Sequence, residues 1–179
     1  MERQLVTRAQ QGDHEAFDQL ASRLVDRLYS AAYRILRHGP SAEDATQQAL
    51  LTIWRQLPTL RDPDRFEAWA YRLLVHASYA EHRRRRREAP PEMDTDGAVQ
   101  DPFLTVHDRD QLERGFSRIS AEQRAVLVLQ HYLDLSHDEI AELLEIPVGT
   151  VRSRLHGARG AMRAALEADA RPSVNGWPA

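Results

Sequence analysis

Residues 136–155, SHDEIAELLEIPVGTVRSRL, constrain the fold more than any other stretch of the chain. Ser136 with Glu139 three residues on forms a capping box, so a helix starts there. Ile140, Leu143 and Leu144 give that helix a buried stripe. Pro147, tolerated only at the first turn of a helix, forces a break before a second one. Val151, Leu155, Ala158 and Met162 then recur at helical spacing and mark one apolar face of the second helix. Two short helices across a tight turn make a helix-turn-helix. Ala141 is small enough to let them cross closely, and Val151 falls where the second helix would plug the core.

The opposite face of the second helix carries Gly149, Arg152, Ser153, His156, Gly160 and Arg163, flanked by Thr150, Arg154 and Arg159. No acidic residue lies between Glu145 and Glu167. Such a face suits a DNA major groove, where arginine forks onto guanine and hydroxyls bind phosphate. A solvated helix with Arg154 in an internal ion pair is the plainer alternative.

Composition narrows the function classes. The 179 residues include no cysteine, so disulfides and thiolate metal sites are excluded. No apolar run approaches the roughly 18 residues of a membrane span, and the first residues, MERQLVTRAQQGDHEAF, lack the apolar core of a leader. A soluble, cytoplasmic protein without membrane insertion is expected. All 24 basic residues are arginine, yet the net charge is -3. A sequence-blind DNA coater needs a strongly basic surface, so any DNA binding rests on local patches or on a partner.

Taken in order, Asp13 offers an N-cap, and Phe17, Leu20, Leu24, Leu28, Ala31, Ala32 and Ile35 follow at helical spacing. Gly39-Pro40 should stop that helix near Arg37-His38. Ser41 should cap the next, with Glu43 and Asp44 in its first turn. Leu50, Ile53, Trp54 and Leu57 line its inner face before Pro58, while Asp44, Gln48, Leu51 and Arg55 share the outer face with Gln47 at the border. A leucine among these polar residues suggests a docking surface. A long helix is expected from about Arg65 to Arg87, with Phe66, Trp69, Leu73, Leu74, Ala77 and Ala80 buried. Arg65, Tyr71, Arg72, His76, Tyr79, His82 and Arg83 then lie nearer the surface. Aromatic rings interleaved with arginine suit single-stranded nucleic acid, since bases stack on the rings while guanidinium groups follow the backbone. Arg83 to Arg87 extend that helix as a basic run.

From Glu88 to Asp108 the chain carries six acidic residues, three prolines and no arginine, which reads as a linker. Leu112, Phe116 and Ile119 resume order on a short helix. Ser120 with Gln123 makes a further capping box, and Val126, Leu129 and Leu133 lead into the helix-turn-helix. The tail RPSVNGWPA reads as loose, although Trp177 could tuck back. The fold class expected is all-α: two small helical domains of unequal size, joined by a flexible acidic linker.

These motifs together resemble the sigma-70 family of bacterial RNA polymerase sigma factors, in its extracytoplasmic-function group, from about Asp13 to Leu166. EIAELLEIPVGTVRSRLHGAR resembles region 4, which reads the minus-35 promoter element. SAEDATQQALLTIW resembles region 2.2, which docks on the clamp helices of the polymerase largest subunit. FEAWAYRLLVHASYAEHRRRRR resembles regions 2.3 and 2.4, which open and hold the minus-10 element.

The resemblance implies region 2 over residues 1–88, a linker over 89–108, region 4 over 109–168 and a tail over 169–179. It places Thr150, Arg152, Ser153, Arg154, His156 and Arg159 at double-stranded minus-35 DNA. His76, Tyr79, His82, Arg83 and Arg84 fall at the single-stranded minus-10 strand, and Asp44, Gln47, Gln48, Leu51 and Arg55 on the polymerase, with Trp54 in the core. Core polymerase (clamp helices and flap), promoter DNA and an anti-sigma protein are the partners it implies, and the acidic linker, with Asp94, Asp96 and Asp101, would mimic RNA inside the enzyme. No catalysis, cofactor or metal is expected.

Several positions depart from the family pattern. Glu145 stands where the turn usually has glycine, Gln48 replaces a usual glutamate, and His76 replaces a frequent asparagine. Gly157 and Gly160 weaken the recognition helix and would either admit close DNA approach or fray. Two rivals remain. A stand-alone helix-turn-helix repressor or activator would need dimerisation, and no heptad run supplies it. A metal hydrolase would need a motif such as H-E-x-x-H, which is absent, and His131 and His137 lack a third ligand.

Overall fold

Capping and hydrophobic periodicity produce the expected helices, and a computed structural model describes residues 2–88, 115–116 and 118–169. Among these residues every regular element is helical. In chain order they are α1 (Glu2–Gln10), α2 (His14–Leu36), α3 (Gly39–Gln56), two 3-10 turns (Leu57–Thr59 and Pro63–Arg65), α4 (Phe66–Glu88), α5 (Ala121–His131), α6 (His137–Leu144) and α7 (Val148–Asp169).

Asp13 caps α2 as its sequence position implies, its carboxylate accepting from the Ala16 amide at 3.0 Å. Leu20, Leu24, Leu28, Ala31, Ala32 and Ile35 are all buried, and Phe17 packs against their edge. The junction with α3 differs from expectation. Arg37 itself turns the chain, in the left-handed conformation at φ +60°. Gly39-Pro40 does not stop α2 but opens α3, where proline's missing amide costs nothing. The cap of α3 is His38, whose Nδ1 accepts from the Ser41 amide at 3.2 Å; Ser41 is buried inside the helix. Glu43 and Asp44 consequently fall beyond the first turn. A ring nitrogen can accept like a serine hydroxyl, which residue-type preferences alone do not signal.

The α4 stripe is rotated from the one expected. Phe66, Ala70, Tyr71, Leu74, Val75, Ser78 and Glu81 are its buried residues, while Trp69, Leu73 and Ala77 are half-buried and Ala80 is exposed. Tyr71, expected near the surface, is buried. The cause is that α4 packs on two sides, against α2 and α3 and also against α5 and α6. A single amphipathic stripe therefore does not describe it. The short α1 adds Leu5, Val6 and Ala9 to the core, a helix the sequence reading did not assign.

Both expected capping boxes form, at Ser120 with Gln123 and at Ser136 with Glu139. Val126, Leu129, Ile140, Leu143, Leu144, Val151, Leu155 and Ala158 close the C-terminal core. Phe116 and Ile119 pack onto it, whereas Leu112 and Trp177, the linker and the tail lie outside the described residues. Buried side chains of both halves join in one continuous apolar cluster.

Candidate nucleic-acid interface

The helix-turn-helix is fixed by its turn. Glu145 sits at φ +54°, and the amide of Ile146 reaches the carbonyl of Ala141 at 3.0 Å while that of Glu145 reaches Glu142 at 3.3 Å. This pair of hydrogen bonds is the Schellman closure, which normally selects glycine at the left-handed residue. The Pro147 carbonyl then starts α7 by accepting from Val151 at 3.3 Å, so proline stands just before the first helical residue.

With Val151, Leu155 and Ala158 turned into the core, the opposite face of α7 is presented outward. Arg152, Ser153, His156 and Arg159 are exposed, and Thr150 and Arg154 are half-buried. Arg159 is steadied by Gln130 of α5, which accepts from its Nη2 at 3.1 Å. Gln130 in turn lies 3.0 Å from the His137 ring. Arg154 lies within electrostatic range of Tyr79 in the first half and of Glu122 in α5. The two glycines differ. A Cβ on Gly157 would meet the Gln123 side chain at 2.7 Å, so this glycine serves a contact within the protein, whereas Gly160 faces open space.

On α4, His76 and Arg83 are exposed, and Tyr79 and His82 are half-buried. Partial desolvation, reinforced by nearby Arg72, holds the His76 pKa below its ordinary value. The Tyr79 hydroxyl is buried with no hydrogen-bond partner, and burial pushes its pKa up to about 12. Arg84 is engaged rather than open. It grips Glu81 through two bonds of 2.8 Å and reaches Asp44 of α3 at 2.8 Å, so one arginine links the candidate strand-binding helix to the candidate docking helix. Beyond it, Arg83, Arg86 and Arg87 meet Arg118 and Ser120 across a cleft of about 810 Å³. Its positive wall continues the basic run that the sequence marks.

On α3, Asp44, Gln47, Gln48, Leu51 and Arg55 are all exposed, with Leu51 44% accessible. Beside them opens an apolar groove of about 650 Å³ whose second wall is α2, with Phe17, Val25 and Tyr29 facing Leu50, Leu51 and Trp54. Trp54 is half-buried, its ring 4.6 Å from that of Phe17 and tilted by 59°, so it lines the groove rather than the deep core. Sequence reasoning found the α3 wall but not the α2 wall. Val25, 37% exposed and off the buried stripe, was the signal for it.

No group of three or more potential metal-binding side chains occurs among the described residues, and no helix there is long and apolar enough to cross a membrane.

Comparison with known proteins gives the family. Residues 20–88 match Sigma-70 region 2, and residues 109–162 match Sigma-70, region 4. The ECF RNA polymerase sigma-E factor of Escherichia coli (strain K12) is 30% identical, covering 88% of this chain and 90% of its own. The RNA polymerase sigma-H factor of Pseudomonas aeruginosa is 29% identical over 93% of this chain and 94% of its own. Among solved structures, CnrH in complex with the cytosolic domain of CnrY superposes with a TM-score of 0.69 at 25% identity, covering 94% of this chain and 99% of that one. The sigma factor RpoE of Bartonella quintana, solved with the anti-sigma factor NepR, shares the fold at a TM-score of 0.69, with 22% identity over 86% of this chain and 98% of its own. Matches to both regions in one chain disfavour a stand-alone repressor. The chain belongs to the extracytoplasmic-function group of the sigma-70 family and directs promoter-specific transcription initiation with RNA polymerase.

Proposed function

We propose a division of that task among the three surfaces. Asp44, Gln47, Gln48, Leu51 and Arg55, together with the adjoining apolar groove, dock on the clamp helices of core polymerase. His76, Tyr79, His82, Arg83 and Arg84 on α4 meet the single-stranded minus-10 element, where captured bases offset an unstacking cost of a few kcal/mol. Thr150, Arg152, Ser153, Arg154, His156 and Arg159 on α7 meet duplex minus-35 DNA. Region 2 spans residues 1–88 and region 4 residues 109–168, with 89–108 as the tether and 169–179 as the tail. The chain is a specificity subunit without catalysis of its own, working in the cytoplasm, and an anti-sigma protein completes the family's usual set of partners.

The observation that carries this reading is the outer face of α7 from Gly149 to Arg163, which bears no acidic residue and is held outward by the burial of Val151, Leu155 and Ala158 on the other side. Arg152 is the exposed arginine nearest the start of that helix, where base contacts are made. A bidentate contact to guanine is worth about 1 to 3 kcal/mol. Arg152→Ala should therefore lower use of a minus-35-dependent promoter by roughly 5-fold to 150-fold in run-off transcription, leaving polymerase affinity unchanged. Loss of polymerase binding as well would give the helix another role.

A further inference from the structure

Arg159 and Arg84 are both held by neighbouring side chains, but by chemically different ones. Arg84 is gripped by Glu81 and Asp44, whose carboxylates offset its charge. Arg159 has a neutral partner, the Gln130 carboxamide, whose Oε1 accepts from its Nη2 at 3.1 Å. Among the described residues it has no carboxylate partner. A guanidinium carries several N–H donors in a fixed fork, so one bond to an uncharged oxygen leaves most of the donors and the whole positive charge available. The side chain is aimed without being neutralised.

Gln130 is itself fixed. It stands in the last turn of α5, and its amide nitrogen lies 3.0 Å from Nε2 of His137, the first residue of α6. The chemistry of each group decides which way it faces. Arginine only donates, so the carboxamide must present its oxygen to Arg159 and its NH2 to His137. The NH2 in turn only donates, so His137 must accept through a bare Nε2 and carry its proton on Nδ1. One directed chain of bonds therefore joins α6, α5 and α7, and each link orients the next.

Arg159 lies eleven residues beyond Val148, about 16 Å along α7. Base contacts come from the first turns of a recognition helix, so an arginine this far along meets the sugar-phosphate backbone. The surface there is open, since a Cβ on neighbouring Gly160 would meet nothing within 4 Å. A free arginine loses much rotamer freedom on gripping a phosphate, and one already aimed loses less.

We propose that Gln130 and His137 are positioning residues for minus-35 recognition. Gln130, locked by His137, holds the Arg159 guanidinium toward a backbone phosphate of the minus-35 duplex, and neither residue touches DNA itself. Their role rests on the assignment of Arg159 to that duplex, and the experiment below separates the two.

Holoenzyme is reconstituted with core polymerase, and the probe is a fluorescent duplex promoter fragment that the parent holoenzyme selects from a random library. Affinity is measured as a function of salt. Arg159→Ala should weaken binding and lower the slope of log affinity against log salt by about one, the signature of one lost phosphate contact. Gln130→Leu, close in volume, keeps the arginine charge but frees its side chain, so affinity should fall roughly twofold to tenfold with the slope retained. His137→Phe keeps a ring but removes the accepting nitrogen, and should act in the same direction by less. In the Arg159→Ala background both losses should vanish.

A Gln130→Leu loss that persists in that background overturns the proposal, because Gln130 would then contact DNA or support the fold directly. Gln130→Leu binding as tightly as the parent overturns it as well, and an unchanged His137→Phe removes His137 from the chain of bonds. If Arg159→Ala leaves both affinity and slope unchanged, the assignment of Arg159 to DNA fails, and the positioning role falls with it.

Discussion

Glu145 is the position where two structural demands oppose each other, and replacing it with glycine measures both. The residue is held at φ +54°, a region in which a side chain costs about 1 kcal/mol and glycine does not. Glu145→Gly should recover about that much. The same change deletes the carboxylate that pairs with Arg72 at 2.7 Å, and with side-chain exposures of 61% and 37% that pair is worth about 0.2 to 1 kcal/mol. The two effects nearly cancel at low salt. Screening separates them, because the Debye length falls from about 30 Å at 0.01 M salt to about 3 Å at 1 M.

Urea denaturation of both proteins at these two ionic strengths reads the balance. At high salt the glycine variant should be more stable by about 1 kcal/mol, a rise of roughly 2 to 4 °C in Tm for a chain of this size. At low salt the gain should shrink toward zero. Arg72→Ala should remove the salt dependence from the comparison. A variant less stable than the parent at high salt would mean that Glu145 does not hold a left-handed turn, and a salt-independent difference would refute the pairing with Arg72.

Three further outcomes follow from the same geometry. Gly160→Ala faces open space and should gain roughly 1 kcal/mol of helix stability, whereas Gly157→Ala collides at 2.7 Å with Gln123, which the capping box ties to Ser120, and should gain less; equal effects in thermal unfolding would contradict the contact. The pKa of Glu81 is held below the ordinary glutamate value, first by its hydrogen bond from Arg84, so its contribution to stability is complete above that ordinary value and declines as the pH falls through the lower folded value. Glu81→Gln should accordingly flatten the acid limb of the unfolding profile below about pH 4.5, and an unchanged limb would show that Glu81 and Arg84 are not paired in solution. Leu51→Asp should weaken binding to core polymerase with little change in melting temperature, since its side chain is 44% exposed; a large drop in stability would place the leucine in the fold instead.

The helix-turn-helix was legible because each of its signals is local. The Ser136 box, the Ile140 stripe, the break before Pro147 and the spacing of Val151 and Leu155 all lie within one short segment, and each occurs as expected. The positive φ of Glu145 was legible too, as a departure from glycine, although its ion pair with Arg72 was not. What escaped the sequence was long-range. Tyr71 and the rotated stripe of α4 follow from packing on two sides, and Arg124 bonds to a residue 89 positions away. His38 replaced Ser41 as a cap through a ring nitrogen, a role that its residue type does not advertise. Three candidate surfaces were marked from the sequence, but not the buried contact of Arg124 with Ile35 that joins the two halves.

Run-off transcription with purified core polymerase on a library of promoter fragments tests the central claim most directly. The account predicts that adding this protein starts transcripts at a defined subset of fragments sharing two separated sequence boxes, and that core polymerase alone does not start there. Transcript positions unchanged by the protein would contradict it.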